Sequence, residues 1–147
     1  MTDTSAPGIV STRLILFPRN AVFDAFRDPA RLAFWWGPNG FTSTIHEFDL
    51  RPGGRFRLTL HGPDGANYEN DKEFLEVVEP ERVVFRHSQP MHDFTMTITW
   101  EEEAGGTRLT WKMAFEPAAA GEKIRDFILK ANEENFDRLE NHLKSTP

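Results

Sequence analysis

The 147-residue chain carries 17 basic and 23 acidic side chains, a net charge of −6, and no cysteine. A surface of that sign repels phosphate backbones and anionic lipid, which argues against nucleic acid or a membrane surface as partner. The missing thiols remove disulfide frameworks, thiolate metal sites and cysteine nucleophiles together, and fit a reducing cytoplasm. No apolar run approaches the ~18 residues of a membrane span.

The length suits one compact domain. Residues 1–9 are small and polar, expected as a frayed tail before a single domain over residues 10–147. Residues 10–17 (VSTRLILF) read as a strand. Pro18 suits a first helical turn, and Ala21, Val22, Phe23, Ala25 and Phe26 then recur at helical spacing. Asp28 is placed to cap a second short helix opened by Pro29 and running through Trp35 and Trp36, and Gly37-Pro38-Asn39-Gly40 ends it.

From residue 42 to residue 115 the chain predicts an antiparallel meander. Strands are expected over residues 42–50, 55–61, 68–78 and 82–88, separated by Gly- and Pro-rich turns. Phe94, Met96, Ile98 and Trp100 then alternate with Thr95, Thr97 and Thr99. After the hairpin at Ala104-Gly105-Gly106, Leu109, Trp111, Met113 and Phe115 repeat the pattern. A sheet with one strongly aromatic face needs a cover. Residues 120–144 are expected to supply it as one continuous helix, with Ile124, Phe127, Ile128, Ala131, Phe136, Leu139 and Leu143 as its buried stripe.

Five stretches in this order are similar to one family. They are Val22-Phe23-Asp24-Ala25-Phe26, Trp35-Trp36-Gly37-Pro38, the run from Asp49 through Arg51-Pro52-Gly53-Gly54 to Phe56, Gly105-Gly106-Thr107-Arg108-Leu109-Thr110, and Phe136-Asp137-Arg138-Leu139-Glu140-Asn141-His142-Leu143. Together they resemble the activator-of-heat-shock-ATPase-like branch of the SRPBCC superfamily. The resemblance implies an α+β helix-grip (START-like) fold, in which a curved antiparallel sheet of about seven strands wraps around a long C-terminal helix. It also implies a cavity between the two. Where this family often carries Gly and Trp in the last helix, this chain has Ala131, Asn132 and Asn135. Co-chaperone members add an N-terminal docking domain, for which 147 residues leave no room.

The candidate lining of that cavity is Phe56, Leu58, Phe74, Phe94, Met96, Ile98, Trp100, Leu109, Trp111 and Met113 from the strands. Phe127, Ile128, Ala131, Asn132 and Asn135 come from the helix, and Trp35 and Trp36 from its mouth, where one of the two adjacent rings is expected to face inward. Thirteen Phe and four Trp against one Tyr supply dry contact area, which serves an ordinary core as well as a ligand pocket. Asn132 and Asn135 fall on or beside the sheet-facing stripe, so each needs a partner: a neighbouring group, a trapped water or a ligand.

Catalytic signals are weak. The five histidines show no HxxxH or HExxH spacing, no serine lies in a GxSxG elbow, and Glu101-Glu102-Glu103 reads as a solvated hairpin tip. Glu73 or Glu76 would become an acid/base candidate if it faced inward, which depends on a strand register the alternation leaves open. No cofactor or metal is expected. The leading expectation is a cytoplasmic module that binds a small apolar or amphipathic molecule. A chaperone-activating or stress-related interaction domain, a homodimer contact and a cavity-based enzyme are the alternatives.

Overall fold

A computed structural model describes residues 8–88 and 93–145. Most of the expected N-terminal tail, and His92, lie outside those residues. The elements are β1 (Ile9–Ile15), α1 (Arg19–Arg27), α2 (Pro29–Trp35), β2 (Thr42–Phe48), β3 (Arg55–His61), β4 (Asn67–Val78), β5 (Arg82–Ser88), β6 (Asp93–Glu103), β7 (Gly106–Phe115), α3 (Ala118–Lys123) and α4 (Arg125–Ser145). The first strand starts at Ile9, inside the range expected for the tail.

The seven strands form one antiparallel sheet in the order β1-β7-β6-β5-β4-β3-β2. Asp28 accepts a hydrogen bond from the Ala30 amide at 3.0 Å and so caps α2, as its position before Pro29 predicts. Alternation along β6 and β7 buries Met96, Ile98, Trp100, Leu109, Trp111 and Met113 on the inner face. The fold is the α+β helix grip that the sequence implied.

The cover differs from the expected single rod. The chain leaves helical geometry at Ile124 (φ −118°, ψ 17°), so α3 and α4 are separate segments. Three residues earlier, a Cβ at Gly121 would approach the Phe115 ring to 2.6 Å, so the glycine lets α3 press onto β7. The buried stripe of α4 is Ile128, Asn132, Asn135, Phe136, Leu139 and Leu143. Phe127, expected in that stripe, stands one position out of phase and is 70% exposed.

At its C-terminal end α4 lies against β1, α1 and α2. Arg13 on β1 reaches across to Glu133, Asp137 and Glu140, all at 2.7–2.8 Å, with its guanidinium 5.5 Å from the Phe136 ring centroid. Those three carboxylates recur at helical spacing along one side of α4, which is why a single arginine gathers them. Among the described residues no helix is long and apolar enough to cross a membrane.

Candidate functional site

The inner face of the sheet divides into two regions. Beneath α1 and α2 it is filled by rings. Trp36 packs against Phe26, Phe56, Phe85 and Trp111 at centroid distances of 5.3–6.4 Å, and Phe56 stacks on Phe74 at 5.7 Å. Trp35 donates its indole N–H to the Ala25 carbonyl at 3.0 Å. Both tryptophans are buried, at 2% and 7% exposure, rather than one of the pair. The quarter-turn separation of adjacent helical positions does not apply here, because Trp36 is the C-cap and is already extended.

At the other end of the sheet the helix and strands draw apart around a cleft of about 680 Å³. Leu60 of β3, Tyr68 and Asn70 of β4, His87 of β5, Phe94 of β6 and Met113 and Phe115 of β7 form its sheet wall. Ile124 and, on α4, Phe127, Ile128, Ala131 and Asn132 form the other. His87 stacks on Phe94 at 4.7 Å and Phe94 contacts Phe115 at 5.0 Å, so one floor is a continuous aromatic row.

Six of the candidate residues therefore meet in one place: Phe94, Met113, Phe127, Ile128, Ala131 and Asn132. The others do not line the cleft. Trp35, Trp36, Phe56, Leu58, Phe74, Met96, Ile98, Trp100, Leu109 and Trp111 are buried in the core. Asn135 is buried as well, and its partners are backbone. Its amide oxygen accepts from the Gly37 N–H at 3.1 Å and its amide nitrogen donates to the Trp35 carbonyl at 2.6 Å. Arg138 adds hydrogen bonds to the Gly37, Pro38 and Phe34 carbonyls. Asn135 is thus a latch between α4 and the segment that follows α2. Asn132 donates to Ser11 at 3.1 Å and to the Met113 sulfur at 3.7 Å, which leaves its amide oxygen without a donor among the described residues.

The register of β4, open in the sequence, turns Glu73 and Glu76 away from the interior. Glu73 is exposed, and Glu76 is paired with Arg82 at 2.7 Å. Phe74 pairs with Phe85 but Glu76 with Val84, so an extra residue bulges between them and blurs the alternation. The inward ionisable residue is Lys72, which the sequence reading passes over. It lies two positions before Phe74 on the same face, and that spacing is the signal that could have found it.

Lys72 is 3% exposed, and its Nζ has no hydrogen-bond partner among the described residues. The amine lies 4.0 Å from the Phe56 ring centroid, 5.8 Å from that of Phe85 and 5.9 Å from that of Trp36. Loss of hydration pulls its pKa down to about 7, against a smaller opposite pull from the Asp71 carboxylate. Among the described residues no three His, Asp or Glu side chains converge on a point that could hold a metal ion. His46 bonds Thr59, and His61 bonds Thr44 and Asn67.

Known proteins share this architecture. A crystal structure of a protein from Nitrosomonas europaea superposes with a TM-score of 0.85 at 23% identity, covering 98% of this chain and 97% of that one. A protein from Mycobacterium smegmatis gives 0.78 at 26% identity, with 99% and 93% covered. The structure described as the AHSA1 protein from Silicibacter pomeroyi gives 0.73 at 19% identity, with 93% and 97% covered. No curated protein matches the sequence significantly. The model of the family described as Activator of Hsp90 ATPase homolog 1-like protein matches residues 16–144, and the chain belongs to that family.

Proposed function

We propose that this protein is a small-molecule-binding module whose largely apolar ligand occupies the cleft between the sheet and the first turns of α4. Phe127 carries the reading. Its ring stays mostly exposed on the wall of a concavity that also presents Ile124, Ile128, Phe94 and Phe115. Covering one such ring is worth roughly 1.5–3 kcal/mol. Apolar concavities with a few polar groups are the usual form of small-molecule sites. Met113 lets the wall adapt to shape, and the free amide oxygen of Asn132 orients a donor. A cytoplasmic setting belongs to the same proposal, since it rests on the absence of cysteine.

Native mass spectrometry of protein purified from the cells that make it tests the reading. A bound mass that leaves on denaturation is expected, together with saturable binding of the neutral dye Nile red. Protein free of any adduct that also fails to bind the dye would sink the proposal.

The family's description favours a second reading, contact with a chaperone and activation of its ATPase, or a related role in stress response. Stimulation of a chaperone ATPase by micromolar protein would support it, and its absence at those concentrations would remove it.

A further inference from the structure

The inner face of the sheet carries one row of directly paired residues across five strands: Phe56, Lys72, His87, Phe94 and Phe115. The last three line the cleft, and so does Asn70, two positions before Lys72 on the same face of β4. Lys72 itself does not line the cleft, but it rises from the sheet beside two residues that do, Asn70 along β4 and His87 across the ladder. Among the described residues its buried amine has no acceptor and no counter-charge in contact. Burying an ammonium unpaired is costly, and the faces of Phe56, Phe85 and Trp36 offset only part of that cost. Methionine of similar length would fill the same space without the penalty.

We infer that the cleft takes an amphipathic carboxylate, its apolar chain along Phe94, Phe115, Phe127 and Ile128 and its carboxylate accepting hydrogen bonds from the Lys72 ammonium. This rests on the ligand-binding reading above and names the ligand's polar end. The four-carbon stem of lysine is flexible, so the amine swings from its place over Phe56 toward the wall formed by Asn70 and His87. An anion arriving there supplies the acceptor that the ammonium lacks, and its charge favours the protonated amine.

Among the described residues, the titratable groups around Lys72 are few. His87 lies directly across the ladder on the same face, Asp71 is its neighbour along β4, and Glu69 sits at the cleft wall accepting from Thr59 at 2.9 Å. Asp71 faces Arg57 at 3.4 Å on the opposite side of the sheet. Among residues of the cleft wall, α4 contributes no charged side chain.

Calorimetric titration with decanoate and with 1-decanol separates the polar end from the apolar chain. At pH 6.5 the wild type is expected to bind decanoate at least about tenfold more tightly than decanol. In Lys72→Met that preference should vanish while decanol binding persists. At pH 8, titrations in two buffers of different ionisation heat should show uptake of close to one proton per decanoate by the wild type, a readout that needs no variant. Equal binding of the two probes by the wild type, or an undiminished decanoate preference in Lys72→Met, would overturn the assignment of the carboxylate to Lys72 while leaving the cleft as a site. Binding of neither probe would overturn the cleft reading itself, and this inference with it.

Discussion

The two ends of the sheet's inner face are built from the same residue types and do different things with them. Under α1 and α2, rings close on one another, many edge to face: Phe26 on Phe56, Phe48 on Phe74, Phe23 on Trp100. Each apolar surface there already has a partner. At the other end, Phe94 touches both His87 and Phe115, but Phe127 faces them across open space. Ring count therefore does not separate core from site. The separation comes from what the covering segment brings: a helix capped by Asp28 and two buried tryptophans at one end, and the Ile124 break at the other.

Lys72 stands at the border of the two regions, and removing it should have the largest effect. Its amine is held near pKa 7 in the folded protein, against about 10.5 when unfolded. Between those values the unfolded chain binds more protons, so stability rises as pH climbs from 7 toward 10, and the penalty is fully present below 7. The pH slope that Lys72→Met removes should amount to something on the order of 5 kcal/mol across that window, read from urea denaturation at pH 6.5 and pH 10. Parallel profiles for the two proteins would place the amine in water.

Phe56→Ala tests the filled region alone and should cost about 3–5 kcal/mol, because a ring buried among Phe26, Phe48, Phe74 and Phe85 leaves a hole. Nile red binding at the far end should persist in that variant wherever it remains folded. Asn135→Ala leaves the Gly37 N–H and the Trp35 carbonyl buried without their partner, and should cost about 2–4 kcal/mol in the same denaturation measurement.

The smallest change in stability belongs to the cleft. Ala131→Trp fills space that is empty in the structure, so stability should move by no more than about 1 kcal/mol while dye affinity falls at least about tenfold. Unchanged dye binding would mean that the dye sits elsewhere.

Much of this was legible in the residues. The period-2 runs of β6 and β7, the Gly105 hairpin and the Asp28-Pro29 cap each follow from local chemistry that tertiary contacts did not override. What escaped reading depends on contacts between distant segments. The inward turn of Lys72 follows from its spacing to Phe74, but the bulge after Phe74 shifts the second half of β4 and blurs the period of the strand as a whole. The burial of Trp36 follows from an extended backbone that no helical wheel describes. Phe127 shares a helix with Ile128, and only the direction in which α4 leaves Ile124 decides which of the two meets the sheet.

The far half of α4 is held at several points: Asn135 and Arg138 tie it to the backbone between Phe34 and Pro38, and Arg13 binds Glu133, Asp137 and Glu140. Among the described residues the near half is held by fewer such bonds: Asn132 to Ser11 and the Met113 sulfur, and Arg125 to Glu122. Mechanically, α4 is a beam clamped at one end. If the proposed ligand is bulky, this asymmetry of anchorage predicts that α4 yields first in the turns beside Ile124, leaving the aromatic packing behind them in place.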